Sequence, residues 1–392
     1  LDQAIADISK TGAFPGQFDL FYKVSSASTK ARWVTLAKTL KLRAYMTTRL
    51  VDPSAKSKIE ALLAENDLID QSSGSEDFEF KYSSKQTNPN SRHPWYNGNY
   101  NASGGSGDYI GTYFMWALIK EKQGFSNNIA NDKSDPRTRY YLYRQQITYS
   151  QVNQATSSCS VETPPAHYPA TMPFCLPGSG FWGRDHGDAS GIPPDGELRT
   201  TVGIYPSGGD LDYNQGKTVT LNQGGLGAGI QPIWQSAFTD FLKAEAALTL
   251  GTPGDPRALL VSAINKSFAK VIGFPATIGV SMPAAYVPTE TRKTDYINFV
   301  LAKYDAGTAE EKLDIIMKEY YLALWGNGVD AYNNYRRTGK PGNMQFTKTP
   351  NPGAFISSVF YPSVYVNRNL NATQKSVDVH VFWDTNPPGF NK

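Results

Sequence analysis

Two blocks of helix-type hydrophobic periodicity, separated by a long stretch without it, limit what this chain of 392 residues can fold into. In residues 231–341, apolar side chains recur every three or four positions, as in the series Leu260, Ala263, Ile264, Phe268 and Val271. This spacing predicts helices that bury one face against each other. Residues 1–71 show the same periodicity. We therefore predict a mostly α-helical fold, with a helical scaffold at 1–71 and 231–341 and a loop-rich insertion at 72–230.

Short start and stop signals divide the two blocks into helices. The Asp–Pro pairs at 52–53 and 255–256 are typical of first turns, because Asp caps free amide groups and Pro fits the first helical position. Thr308 and Glu311 have the spacing of a capping box. The predicted helices cover residues 29–50, 53–64, 232–248, 256–271, 291–304, 308–325 and 329–337. Their lengths favour tetratricopeptide-like helix pairs, although the sequence contains no clean repeat of about 34 residues.

The insertion at 72–230 is dense in Gly, Pro, Asn and Ser, and its periodic runs are short. It predicts one helix at 110–122 and short strands at 78–82 and 139–143. The glycine run Gly224–Gly229 does not follow a strand in a βαβ pattern, so we interpret it as a flexible connector and not as a phosphate-binding loop. A loop-rich segment of this length is more often functional surface than core.

Both ends of the chain carry information. The Pro- and Asn-rich tail, residues 342–392, is predicted to wrap the helical body within a single domain spanning 1–392. Residues 1–8 place apolar side chains on one helical face without a preceding cap, initiator Met or signal peptide. We therefore expect a processed or truncated chain.

Charge and cysteine content narrow the function classes. The 38 Lys and Arg against 35 Asp and Glu give a net charge of +3, which argues against a nucleic-acid-binding protein. No apolar run reaches the roughly 18 residues of a transmembrane helix. The two cysteines, Cys159 and Cys175, either form a disulfide that closes a loop of about 17 residues or are unrelated thiols.

The densest polar cluster is Trp182-Gly-Arg-Asp-His-Gly-Asp188. Asp185, His186 and Asp188 are candidates for an acid–base or metal site of a hydrolase. A second interpretation is a structural calcium held by Asp185 and Asp188 together with carbonyl oxygens. The third, which we favour, is structural: carboxylates and Arg184 tie down a loop through charge-assisted hydrogen bonds.

An aromatic and amide-rich loop covers residues 88–100. Flat rings flanked by amides suit the apolar faces and hydroxyl groups of sugars. The candidate ligand-binding residues are Trp95, Tyr96, Asn97, Tyr100 and, outside this loop, Trp182. The alternative, which we favour for the tyrosines and tryptophan of the loop, is that these rings anchor it to the helical body.

One carboxylate lies beside an apolar helical stripe. Glu245 occurs in the run Ala244-Glu-Ala-Ala247, next to positions that the periodicity assigns to the core. A buried carboxylate needs hydrogen-bond partners. We therefore predict that Glu245 is bonded to a neighbouring helix or to an arginine, and not that it is one of a glycosidase pair.

Several motifs, in order along nearly the whole chain, resemble those of the SusD/RagB outer-membrane lipoproteins of Gram-negative bacteria. The two longest are Phe181–Asp188 followed by Gly191–Asp195, and Glu319–Pro341. Shorter matches are Trp33 with Leu40–Arg43, Asn88–Pro94, Phe241–Ala247 and Val381–Asp384.

The resemblance implies a SusD-like superhelix of helix pairs under a loop-rich, ligand-facing half. It implies a non-catalytic, surface-exposed lipoprotein of the cell outer membrane that binds a glycan or other nutrient and delivers it to a SusC-like TonB-dependent transporter. No cofactor is required beyond the calcium considered above. This chain lacks the family's signal peptide and lipidated N-terminal Cys, and its matching motifs are framework motifs that do not identify the ligand.

Two other functions stay open at this point. One is a hydrolase that uses Asp185, His186 and Asp188. The other is a helical-repeat scaffold that binds only protein partners.

Overall fold

The computed structural model describes residues 1–10, 19–22, 27–101, 104–147, 162–175, 177–189 and 195–391. Helices dominate these residues, as the periodicity predicts. The helices are α1 Asp2–Ser9, α2 Ala27–Thr48, α3 Ala55–Glu65, α4 Pro94–Asn99, α5 Thr112–Ile119, α6 Thr138–Tyr141, α7 Ser236–Leu250, α8 Pro256–Thr277, α9 Glu290–Ala306, α10 Ala309–Ala323, α11 Gly328–Thr338 and α12 Ser363–Arg368. The strands are β1 Phe78–Lys81, β2 Leu142–Arg144, β3 Thr200–Val202 and β4 Ile230–Trp234.

The scaffold core lies between α2, α3 and α7–α10. Phe241 of α7 and Tyr320 of α10 stack with ring centroids 5.1 Å apart. Burial of each large apolar side chain here contributes about 1.5–3 kcal/mol. The core includes the fully buried side chains of Leu42, Met46, Ile59, Phe238, Phe241, Leu260, Ile264 and Ile316.

Two of the three predicted caps are confirmed, whereas the one at Asp52 and Pro53 is wrong, because α3 begins only at Ala55 with Ser54 as its N-cap. Asp255 accepts a hydrogen bond from the amide of Arg257, with Pro256 in the first helical position. Thr308 and Glu311 form the reciprocal bonds of a capping box at the start of α10. These local signals set the helix starts because they satisfy amide groups that the helix itself leaves unpaired.

The prediction of a helix from residue 232 is wrong at its start. Residues 230–234 form β4, which pairs antiparallel with β1, so that Phe78 lies opposite Trp234. Side chains in β4 alternate between buried and half-buried, which is a period of two. The helix begins only at Ser236. This ladder joins the insertion to the scaffold.

Two expectations for the insertion also need correction. The segment 139–143 is only partly a strand, because α6 runs to Tyr141 before β2 pairs with β3. The run Gly224–Gly229 is a close-packed segment and not a free connector. A Cβ on Gly224 would lie 1.9 Å from the carbonyl oxygen of Gly209, and the amide of Gly225 donates to that oxygen at 2.9 Å. Only glycine allows two backbones to approach this closely.

A buried ionic network fastens the insertion to the scaffold. Lys122 Nζ lies 2.6 Å from Glu319 Oε1, and Arg137 Nη2 lies 2.6 Å from Asp135 Oδ2. Tyr296 of α9 donates to Glu319 at 2.9 Å. Charges survive burial only when they are paired in this way. The network therefore requires the insertion, α9 and α10 to come together.

The tail contacts the body at several points. Lys348 donates its amide to the carbonyl of His186 at 2.7 Å, and Arg336 of α11 donates to the carbonyl of Ser357 at 2.6 Å. Near its end, Asn391 donates to the carbonyl of Tyr335 at 2.7 Å. Between these contacts, the tail exposes the large apolar side chains of Val359, Phe360, Tyr361, Val364, Tyr365, Leu370 and Phe382.

Candidate functional site

The aromatic loop predicted at 88–100 contains α4. His93 caps this helix through its Nδ1, which accepts from the amide of Trp95, and burial lowers the pKa of His93 to about 4. Because His93 is neutral near pH 7, it can act as this acceptor. The cap therefore fixes the start of the helix that carries Trp95.

Tyr96 and Tyr100 are not exposed stacking platforms, so the prediction that they contact a ligand is wrong. Both side chains are fully buried, and their rings stack 4.6 Å apart. Tyr96 donates to the carbonyl of Leu221 at 2.8 Å, and Tyr100 donates to the carbonyl of Val202 at 2.8 Å. They are the loop anchors of the alternative interpretation, and Trp95 and Asn97 are the half-buried members of the set.

Trp182 is also buried, which contradicts its prediction as a ligand-binding residue. Its indole nitrogen donates to Asp195 at 3.2 Å, and Arg199 donates to the same carboxylate at 2.7 Å. Tyr109 donates to Asp195 as well, at 2.6 Å. Burial opposes ionisation of Asp195, but the hydrogen bonds from Tyr109 and Arg199 outweigh it, so the pKa of this carboxyl is lowered. Trp182 therefore has a structural role, because its hydrogen bond to Asp195 holds the segment in place.

The carboxylate of Asp185 is buried and already bonded. It accepts from the amide of Cys175 at 2.9 Å and from the side-chain amide of Gln345 at 2.9 Å. Burial raises the pKa of Asp185. His186 is exposed, and Asp188 lies 3.3 Å from Lys348 Nζ. These contacts join the loop to the tail, which is the structural interpretation of the cluster.

The contacts give the calcium and hydrolase interpretations no support. Across the described ranges, no three His, Cys, Asp or Glu side chains group closely enough to hold a metal ion. The predicted calcium at Asp185 and Asp188 stays a prediction.

Cys175 is disulfide-bonded. Cys159, the other cysteine of the sequence, lies outside the described residues. The proposed pairing of the two therefore stays a prediction.

Trp95 belongs to a larger set of half-buried rings at the junction of α4, α5 and the end of α10. The Trp95 and Trp325 ring centroids are 5.1 Å apart, and Trp325 stacks on the buried Phe114 at 4.3 Å with 14° between the planes. Tyr321 meets the same Phe114 edge-on at 5.9 Å. We call the half-buried members the aromatic row: Trp95, Trp325, Tyr321 and Trp116.

The buried Tyr113 continues the row toward Trp116. Its ring centroid lies 6.0 Å from that of Tyr321 and 5.9 Å from that of Trp116. The Lys318 ammonium lies 4.6 Å from the Tyr113 ring centroid and 5.8 Å from that of Trp116. One end of the row is therefore cationic, and the other end carries the amide of Asn97.

At the cationic end of the row, the ammonium of Lys318 uses all three of its hydrogen-bond donors. Lys318 Nζ donates to Asn343 at 2.7 Å, to Glu121 at 3.0 Å and to Tyr113. Burial alone would raise the pKa of Glu121, but the charges of Lys318 and Lys122 outweigh it, and the pKa is lowered. Since its donors are all used, Lys318 positions the rings and does not offer a free charge.

Sequence reasoning found Trp95 and Asn97 but missed Trp325, Tyr321 and Trp116. The signal available was weak. Tyr321 and Trp325 lie four residues apart in the motif Glu319–Pro341 and so share one side of a helix end. Their approach to Trp95, some 230 positions away in the sequence, depends on the tertiary fold. A row of partly exposed rings can stack against the apolar faces of sugar rings.

Comparison with known proteins agrees with the fold. Residues 228–379 match the family model described as SusD-like, the SusD and RagB outer-membrane lipoproteins. This part of the chain is therefore SusD-like, in agreement with the resemblance that the motifs indicate, and the matched family is one of outer-membrane lipoproteins. Among the helices of the described residues, none is both long and apolar enough to cross a bilayer. No protein of curated function matches the sequence.

Solved structures of SusD homologues share the fold over almost the whole chain. A chitin-binding homologue from Flavobacterium johnsoniae has a TM-score of 0.57 and 19% identity, with 99% of this chain and 71% of that chain covered. A homologue from Bacteroides fragilis has a TM-score of 0.58 and 18% identity, with 94% of this chain and 67% of that chain covered. A SusD-like protein from Bacteroidetes has a TM-score of 0.61 and 18% identity, with 98% of this chain and 76% of that chain covered. At these identities the likeness concerns the fold.

Proposed function

We propose that this protein binds an oligosaccharide or a related nutrient along the aromatic row, without cleaving it, and delivers it to a SusC-like TonB-dependent transporter of the outer membrane. The observation that carries the proposal is the row itself: Trp95, Trp325, Tyr321 and Trp116 are half-buried rings that contact the buried rings of Phe114 and Tyr113 and one another. Rings held this rigidly lose little conformational freedom when a ligand stacks on them.

The chemistry of the row suits recognition without bond cleavage. The rings offer apolar faces. The side-chain amide of Asn97 accepts from Asn90 and donates to the carbonyl of Arg92, which leaves one N–H and one lone pair for sugar hydroxyls. A hydrolase would instead need an available nucleophile, acid or base beside the ligand. Asp185 bonds to main-chain and side-chain amides, so the hydrolase alternative has no specific support.

Calorimetric titration against a panel of oligosaccharides tests the binding step. The panel includes chitooligosaccharides, because the homologue from Flavobacterium johnsoniae is chitin-binding. We expect saturable binding to at least one member and about a tenfold loss of affinity in Trp95→Ala, which removes one stacking ring.

The matched control is Tyr213→Ala. Tyr213 is 38% exposed, and its ring meets Tyr286 and not the row. Its removal leaves the affinity unchanged if the row is the binding site. Equal losses in the two variants, or no binding to any oligosaccharide of the panel, would refute the assignment.

The delivery step is tested by co-expression with the transporter. We expect the two proteins to purify together after mild detergent extraction, and bound oligosaccharide to remain chemically intact after long incubation. Cleavage products that disappear in Asp188→Ala would instead support the hydrolase. Transporter binding without any oligosaccharide affinity would support the protein-interaction scaffold.

A further inference from the structure

A concave site lies on the tail, formed by residues before, within and after α12. Its volume is about 660 Å³. We call it the tail cavity, and it is lined by Tyr361, Pro362, Tyr365, Asn371, Ala372 and Thr373. None of these residues belongs to the aromatic row. The cavity therefore needs an explanation of its own.

Two exposed tyrosines form a corner in this cavity. Tyr361 is 44% exposed and Tyr365 is 49% exposed, and their ring centroids lie 5.8 Å apart with 63° between the planes. An aromatic side chain that stays exposed forgoes the packing contacts that burial inside the protein would give it. A corner of two rings can cover a sugar ring on one face and one edge at the same time.

Hydrogen bonds hold the main chain that carries the two tyrosines. The side-chain amide of Gln374 donates to the carbonyl of Tyr361 at 3.0 Å and accepts from its amide at 2.9 Å. The amide of Tyr365 donates to the carbonyl of Pro362 at 2.9 Å. Both rings are thus attached to an ordered main chain, so binding costs less entropy than it would on a free loop.

The polar groups around the cavity are available. In the described part of the chain, no internal hydrogen bond engages the phenol hydroxyls of Tyr361 and Tyr365, the side-chain amide of Asn371 or the hydroxyl of Thr373. The buried tyrosines differ, since Tyr96, for example, donates to a carbonyl. Water occupies such exposed groups in the free protein, and a ligand with hydroxyl groups can replace it without loss of hydrogen bonds.

Charge narrows the ligand class. None of the six residues that line the cavity carries a charge, and the ammonium of Lys375 lies 5.3 Å from the Tyr361 ring centroid. Phosphate or carboxylate recognition normally uses paired cationic donors. Two rings, two phenol hydroxyls, an amide and an aliphatic hydroxyl match a neutral, hydroxyl-rich ring.

We propose that the tail cavity is a second saccharide-binding subsite, which takes one neutral pyranose unit between Tyr361 and Tyr365. The ligand class rests on the proposed function, but the site is separate from the aromatic row. A glycan long enough to reach both sites would be held more tightly than by either site alone, because its second contact would be intramolecular. Short oligosaccharides that reach only one site gain nothing from the other.

Fluorine NMR on protein labelled with fluorotyrosine tests the subsite directly. The Tyr361→Phe and Tyr365→Phe variants assign the two resonances by their loss. The probes are the methyl glycosides of glucose, N-acetylglucosamine, galactose, mannose and xylose, added to millimolar concentration. We expect saturable shifts of both resonances with at least one probe, and the same shifts in Trp95→Ala, because that variant alters only the aromatic row.

The outcomes separate this inference from the proposed function. Failure of all five probes to move either resonance overturns the subsite, whatever the row binds. Shifts that persist while Trp95→Ala leaves oligosaccharide affinity unchanged support the subsite and refute the row. Asn371→Ala should weaken the tail site by about tenfold and leave Trp95-dependent binding unchanged. Loss of transporter co-purification in Tyr361→Ala, without saccharide shifts in the parent protein, would show a protein contact and overturn the proposal.

Discussion

Arg337 of α11 donates hydrogen bonds from both terminal guanidinium nitrogens to the two carboxylate oxygens of Glu245 on α7. The Nη2–Oε2 distance is 2.8 Å, and the second bond joins Nη1 to Oε1. Arg49 at the end of α2 adds a third charge, 3.6 Å from the same carboxylate. Glu245 is fully buried, which confirms the prediction of a buried carboxylate bonded to an arginine. Three elements of the scaffold therefore meet at one carboxylate.

The first prediction concerns the removal of that charge. Glu245→Gln keeps the shape of the side chain but leaves Arg337 and Arg49 without their buried partner. We expect the free energy of unfolding, measured by urea denaturation, to fall by about 3–5 kcal/mol, the usual cost of breaking a buried ion pair. The matched control is Asp305→Asn, which breaks an exposed bidentate pair with Arg257 and should cause no resolvable change. Equal effects in both variants would contradict the argument from burial.

The second prediction is the pH dependence of the same site. Burial opposes ionisation of Glu245, but Arg337 and Arg49 outweigh it and hold the pKa below the ordinary value of 4.5. A carboxyl whose folded pKa is depressed stabilises the protein above its unfolded pKa, and this stabilisation is lost as the pH falls through the folded pKa. The stability difference between the parent protein and Glu245→Gln should therefore be constant near neutrality and narrow below about pH 4.3.

Measurement of both proteins across this range checks the sign. Other carboxyls of the protein, such as Asp185, have a raised pKa and give the opposite trend, but they are present in both proteins and cancel in the difference. A difference that widened on acidification would mean that Glu245 is protonated in the folded protein, contrary to its pairing with Arg337.

The sequence predicts well those features that depend on neighbouring residues. Asp255 and Thr308 cap helices through contacts within three positions, so their roles can be recognised from spacing alone. The periodicity of α8 likewise identifies its buried face. The SusD-like motifs add the overall arrangement, because they match over a long stretch in order.

Features that depend on distant residues could not be predicted in this way. Trp234 fits a helical stripe, but it lies in a strand because β1, more than 150 positions earlier, pairs with it. Tyr100 resembles a surface platform until Val202 supplies its hydrogen-bond acceptor. The aromatic row shows the same limit, since Trp95 and Trp325 meet only after folding.

The third prediction concerns the calcium that the sequence suggested at Asp185. Both carboxylate oxygens of this residue face N–H donors, from Cys175 and Gln345, which a cation would have to displace. Calcium prefers oxygen ligands. We therefore expect neither calcium nor a chelator to shift the melting temperature. Gln345→Ala should lower the unfolding free energy by about 1–3 kcal/mol, because a buried acceptor loses its donor.

A rise in melting temperature with calcium concentration would contradict this interpretation, because only a ligand bound to the folded state produces such a rise. Repetition with Asp188→Asn would then locate the ion. Calcium that binds weakly to exposed acidic residues elsewhere gives a background shift of the melting temperature. The measurement with the chelator records this background.

The last prediction addresses how the insertion is held on the scaffold. Lys122 and Glu319, 197 positions apart, form a buried pair at 2.6 Å. Lys122→Met and Glu319→Gln should each lower the unfolding free energy by about 3–5 kcal/mol, because each removes one partner of a buried ion pair. In Lys122→Met, Glu319 keeps only the more distant Arg137, at 3.5 Å, and Tyr296. The double variant leaves neither charge of this pair, so its loss should be smaller than the sum by about 1–3 kcal/mol.

The same cycle on the exposed pair of Lys293 and Glu290 should give a coupling of about 0.5 kcal/mol or less. Additive losses at Lys122 and Glu319 would mean that the insertion is held by apolar packing and not by this ion pair.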